Sequence, residues 1–119
     1  MSFLDSLLSL LVGHAVADYA WQSEGMVSRK DLTKVQEAAY GPWWWTMLAH
    51  SLINGGMVAG ITGSWAFGVA ETLVHFWADT AKCLGVLTTN EDQLIHVACK
   101  FIWAFGASAA SLGYGQLFS

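Results

Sequence analysis

His75-Phe-Trp-Ala-Asp79-Thr-Ala81 sets a histidine and an aspartate one helical turn apart inside a strongly apolar stretch. The same pattern, His-x-x-Ala-Asp-x-Ala, stands at His14-Ala-Val-Ala-Asp18-Tyr-Ala20. All four histidines lie in apolar segments, and three have an aspartate four residues away: His14/Asp18, His75/Asp79 and Asp92/His96. A spacing of four puts both side chains on one helix face. Neutral imidazole and carboxylate together form a metal-ligand set. Ionisable groups inside apolar helices are costly and therefore point to function.

Around these motifs the chain reads as four hydrophobic helices, Phe3 to Trp21, Trp43 to Ile61, Trp65 to Val86 and Glu91 to Leu112. Each approaches the ~20 residues that cross a ~30 Å hydrocarbon layer. The composition agrees. Of 119 residues, 55% are hydrophobic and only 12% charged, against about 25% charged in a soluble domain. Seven tryptophans and twelve glycines also suit a membrane protein. The expected fold is all-α: a single transmembrane four-helix domain over residues 1–119. A metal-binding soluble bundle is the alternative. A net charge of -4 argues against nucleic acid as a partner. Cys83 and Cys99 fall in apolar segments and read as small core residues. Asp5 and the lack of an early Lys or Arg argue that the first segment is a retained helix rather than a signal peptide.

The one long polar connection is Ser23 to Pro42. Within it, Asp31 to Ala39 is expected to form a short surface helix, with Thr33 and Gln36 as a weak capping box. Three of the five basic residues lie in this loop, which places it in the cytoplasm and both termini outside an inner membrane. Trp43-Trp44-Trp45 then anchors the next helix at the interface.

If the four helices alternate in direction, residues meet at one depth only when the motif order inverts between neighbours. It does: His precedes Asp on the first and third helices, and Asp92 precedes His96 on the fourth. On the second, Thr46 takes the aspartate's place before His50. Three layers follow: Asp18, Thr46, Asp79 and Asp92 outermost; then His14, His50, His75 and His96; then Leu10, Asn54, Glu71 and Lys100. The histidines should lie roughly 8 to 13 Å beneath the long-loop surface. The chain thus reads as two tandem helical hairpins about an approximate two-fold axis.

His14, Asp18, His50, His75, Asp79, Asp92 and His96 are the expected metal ligands. Seven donors exceed what one zinc takes from protein, so two divalent ions, zinc first, are expected; otherwise some aspartates orient imidazoles. Lys82, one turn past Asp79, faces a substrate phosphate or snorkels to the interface. Glu71 either pairs with Lys100 or serves as a catalytic base. Gln22 and Gln93 sit at the site mouth. Gly56-Met-Val-Ala-Gly60 is a GxxxG pattern suited to close helix contact, within the chain or in a homo-oligomer.

His14-x-x-x-Asp18 with Trp21-Gln22, the lone His50, His75-x-x-x-Asp79-x-x-Lys82 and Asp92-Gln93-x-x-His96 together resemble the small bacterial and phage membrane family catalogued as domain of unknown function 3307. The resemblance runs from about Leu7 to Trp103, and Ser23-Glu24 fills the family's acidic or hydroxyl pair after the glutamine. It implies a multi-pass membrane protein with a polar His/Asp centre and no particular activity. A looser similarity reaches membrane-bound metal-dependent hydrolases.

The expected function is a membrane-embedded metal-dependent hydrolase acting on a phosphoester, a lipid or lipid-linked phosphate. The alternatives are a non-catalytic metal-stabilised membrane module and a path for ions or protons. Bis-histidine haem fits the carboxylate-rich set less well.

Overall fold

The computed structural model describes residues 1–36, 39 and 41–110. Among them the chain is all-helical. The helices are α1 (Phe3–Ala15), α2 (Glu24–Arg29), α3 (Trp43–Thr62), α4 (Trp65–Cys83) and α5 (Thr89–Ala109). A π-helical turn, Val16–Ala20, prolongs α1.

Local chemistry explains the boundaries. The Ser2, Ser23, Ser64 and Thr88 hydroxyls accept from the first-turn amides of α1, α2, α4 and α5, which satisfies donors that a helix start leaves without partners. At α5 the cap is reciprocal, because Glu91 accepts from the Thr88 amide. That capping box starts α5 before the expected Glu91. Gly85, at φ 78°, turns the chain and ends α4 before the expected Val86. The expected fourth-helix end at Leu112 lies outside the described residues.

The short surface helix falls elsewhere than expected. Ser23 starts it at Glu24, and Asp31 instead closes a local turn by accepting from the Thr33 amide and hydroxyl. Gln36 donates to the Ser28 and Asp31 carbonyls, so it is not the partner of a Thr33 capping box. Glu37 and Ala38, within the expected helix, lie outside the described residues.

The long helices form a ring in chain order, α1 against α3, α3 against α4, α4 against α5 and α5 against α1. The hairpins expected from sequence are neighbours in this ring, but they are not its tightest pairs. Those are α3 with α4 and α1 with α5. Glycine is the reason at α3/α4. A Cβ on Gly55 would stand 1.9 Å from Thr72 Oγ1 and 2.5 Å from the Gly68 carbonyl. A Cβ on Gly68 would meet that of Ala59 at 2.7 Å. Gly56 and Gly60, the GxxxG pair, face open space and make no intrachain contact of this kind.

Burial is inverted relative to a water-soluble bundle. An apolar cluster of Leu7, Leu10, Val58, Cys99, Trp103 and Ala104 fills one end. Much of the rest of the interior is histidine, carboxylate, lysine and amide, with Met47, Ala17 and Ser51 among them, while Leu8, Leu52, Trp65, Leu73, Trp77, Leu94, Ile102 and Phe105 face outward. By length and composition, Phe3–Ala20 is the one described helical stretch long and apolar enough to cross a membrane, with a mean hydropathy of 1.2. The expectation of four such spans is therefore not met. Their inward polar stripes lower the hydropathy of α4 and α5.

Candidate metal centre

The helical period builds the interior site. Glu71, His75 and Asp79 line one face of α4 at steps of four, as Asp92, His96 and Lys100 do on α5. His50 and Asn54 face them from α3. His14 enters from α1, and Asp18 from its π-helical turn.

That turn moves Asp18 out of the expected outer layer. Its i→i+5 bond, Trp21 N–H to the Val16 carbonyl at 2.8 Å, widens the helix, as π-turns commonly do at functional sites. Asp18 Oδ1 lies 3.2 Å from His50 Nε2 and 3.3 Å from His75 Nε2. The two Nε2 atoms are 3.0 Å apart. Donors around a tetrahedral zinc at ~2.0–2.1 Å stand about 3.3 Å from one another, so this triangle matches one face of such a site. His96 stacks on His75 with ring centroids 4.1 Å apart. Ligand atoms of Asp18, His75 and His96 all lie within 4.8 Å of one another, as do those of His50, His75 and Asp79. His75 belongs to both groups.

His75 and His96 are 0% exposed. Neither nitrogen of His96 makes a hydrogen bond among the described residues, although Nε2 is 3.0 Å from Asp92 Oδ1. Buried polar atoms without partners are rare and call for a ligand, ion or water. The residues present therefore fit a divalent metal.

The remaining expected ligands, His14, Asp79 and Asp92, have other partners as well, although Asp79 Oδ2 lies 3.5 Å from His50 Nε2. His14 Nε2 lies 3.0 Å from Gln93 Oε1, and the Gln93 amide donates to Asp18 at 3.3 Å. Asn54 also donates to Asp18, at 3.4 Å, so it belongs with the histidine layer. Asp79 holds Lys82 at 2.8 Å, and Asp92 lies 3.7 Å from the same ammonium. Glu71 accepts from Lys100 Nζ and Trp103 Nε1, each at 2.6 Å. With both carboxylate oxygens bonded, Glu71 is placed as a partner of Lys100. Its Oε1 also lies 3.6 Å from His75 Nδ1. Thr46 is half-buried.

One central residue was not legible beforehand. Lys30 follows α2 in the polar loop, yet it is only 1% exposed. Its ammonium donates to Gln22 Oε1 and to Asp79 Oδ2. α2 packs on α3, the helix whose outer layer lacks a carboxylate, and from there delivers Lys30 to the centre. No short-range spacing signals this, because Asp79 is 49 residues away. The clue was Asp79 itself, a buried carboxylate that needs counter-charge.

No curated protein and no solved structure matches the chain. The family model described as "Protein of unknown function (DUF3307)" matches residues 6–112. That span contains every side chain of the centre, and the chain belongs to this family.

Proposed function

We propose that this protein is a membrane-embedded, metal-dependent hydrolase of a phosphoester, a lipid or lipid-linked phosphate. The observation that carries the reading is the triangle of Asp18 Oδ1, His50 Nε2 and His75 Nε2 at 3.0–3.3 Å, beside a His96 whose nitrogens make no hydrogen bond among the described residues. A divalent ion, zinc first, would supply a water of lowered pKa and polarise a phosphoryl oxygen.

The protein's own groups supply the rest. Lys82, whose side chain is 26% exposed, is the cation of the centre that reaches the surface. It would meet the substrate's charge from between Asp79 and Asp92. Gln93 holds Asp18 and His14 in register. A membrane setting is supported by the outward row of Leu8, Leu52, Leu73, Trp77 and Phe105 around a polar interior. Large apolar side chains exposed in this number mark a surface that meets lipid or a partner. The basic long loop orients Lys82 toward the cytoplasmic headgroups, where a lipid phosphate lies.

A second reading rests on burial. Asp18, His50, His75 and His96 are all buried, and closed sites are the mark of structural metals. The chain would then be a metal-stabilised membrane module without turnover.

The test uses the full chain in detergent or nanodiscs. The hydrolase reading expects retention in membranes after alkaline washing, bound transition metal by elemental analysis, and phosphate release from phosphatidic acid vesicles. Lys82→Gln should keep the metal and raise KM for the lipid phosphate. Metal binding without turnover on any phosphoester selects the structural module. Absence of metal after reconstitution rules out both.

A further inference from the structure

Resting on the metal reading above, we infer that the centre takes a single divalent ion, held by Asp18, His50, His75 and His96, and that the Lys30 ammonium permanently fills the place a second metal would occupy at Asp79.

Two donor groups can be drawn, and they share His75. In each, the nitrogen that faces the other donors is Nε2, since Nδ1 faces Glu71. A neutral imidazole nitrogen has one lone pair, so His75 Nε2 serves one ion at a time. The choice between the groups is made by Asp79. Lys30 donates to its Oδ2, which also lies 3.5 Å from His50 Nε2, and the Lys82 ammonium stands 2.8 Å from its Oδ1 in an ion pair, so both oxygens face cations. Asp18, in contrast, faces only imidazole nitrogens and amide donors.

Charge points the same way. Asp79, Asp92 and Glu71 face the three ammoniums of Lys30, Lys82 and Lys100, and Asp18 adds a fourth carboxylate that meets no ammonium. With neutral histidines, one divalent ion leaves a small positive excess that suits a phosphate. A second ion beside two ammoniums would have to overcome strong repulsion in a buried site. Lys30 thus acts as a built-in cation delivered by α2. The Asp79 half of the apparent dinuclear site is a salt bridge.

The test is metal stoichiometry of the full chain, with Zn²⁺ and then Co²⁺ as probes, by elemental analysis after equilibration with excess ion. Wild type should saturate at one ion per chain. Lys30→Ala should rise toward two, because Asp79 Oδ2 is then open to a second ion completed by water, whereas Lys30→Arg should stay at one. Asp79→Asn should keep its single ion. Two ions in wild type would overturn the proposal while leaving the metal reading intact. So would a single ion in a folded Lys30→Ala, or loss of metal from a folded Asp79→Asn. No ion in wild type would overturn both. If Lys30→Ala does not fold, Asp79→Asn and the wild-type count decide alone.

Discussion

Lys30 and Asp79 form a buried ion pair between a short surface helix and the interior of α4. The pair ties the long loop to the bundle, so the loop is part of the site's architecture. Truncating one member of a buried pair costs roughly 3–5 kcal/mol. Lys82 remains on Asp79, which puts Lys30→Ala at about 3 kcal/mol. Metal-free thermal unfolding in detergent should show this loss, with faster proteolysis near Arg29. An unchanged melting temperature would mean that α2 is not held by this contact.

Glu71 and Lys100 should behave as a structural couple. Glu71→Gln leaves an unpaired ammonium and Lys100→Met an unpaired carboxylate, each costing about 3–5 kcal/mol. The double variant removes both charges, and its glutamine still accepts from Trp103. It should be more stable than either single variant in a double-mutant cycle. Additive losses would argue against the pairing.

Gly55 and Gly56 should part company although they are adjacent. Gly55→Ala forces a methyl into Thr72 and the Gly68 carbonyl and should cost about 3 kcal/mol by overpacking. Gly56→Ala meets nothing within 4 Å and should gain roughly 0.5–1 kcal/mol from helix propensity. Thermal denaturation of the two variants measures the difference. A marked destabilisation by Gly56→Ala would show that its outer face is occupied by a partner helix.

Metal affinity should separate His75 from His14. His75 stands in both donor groups, so His75→Ala should weaken Zn²⁺ binding by more than about 100-fold, beyond the 10–100-fold of an outer partner. His14 is bonded to Gln93, and His14→Ala should fall within that outer range. Competition against a chromophoric chelator gives both values. Equal losses would place His14 among the direct ligands.

Zinc should also stabilise the fold. At about 100 times Kd, a ligand of the native state adds about 2.7 kcal/mol. The melting temperature should rise with Zn²⁺ and return on chelation. His75→Ala should show neither change.

The histidine layer was legible because helix periodicity is local. His75/Asp79 and Asp92/His96 need only their four-residue spacing to share a face. The inverted order on α5 follows from antiparallel neighbours. Asp18 departed from that scheme because its π-helical turn breaks the 3.6-residue period, and nothing in Val16-Ala-Asp18-Tyr-Ala20 announces the break. Lys30 is not legible in the sequence for a different reason. Its sequence neighbours are polar, and its burial comes from a partner 49 residues away.

The amino-acid sequence by itself determined the four long helices, the inward polar stripe on each, and the meeting of the histidines at one level of the bundle. Those properties depend on residues three or four apart. Tertiary structure alone decided that Asp18 meets imidazoles and amides without an ammonium while Asp79 is neutralised by lysine. Asp18 and Asp79 occupy equivalent places in a repeated motif. They differ because α2 folds back onto α3 and places an ammonium on one of them, a long-range contact that no local pattern encodes.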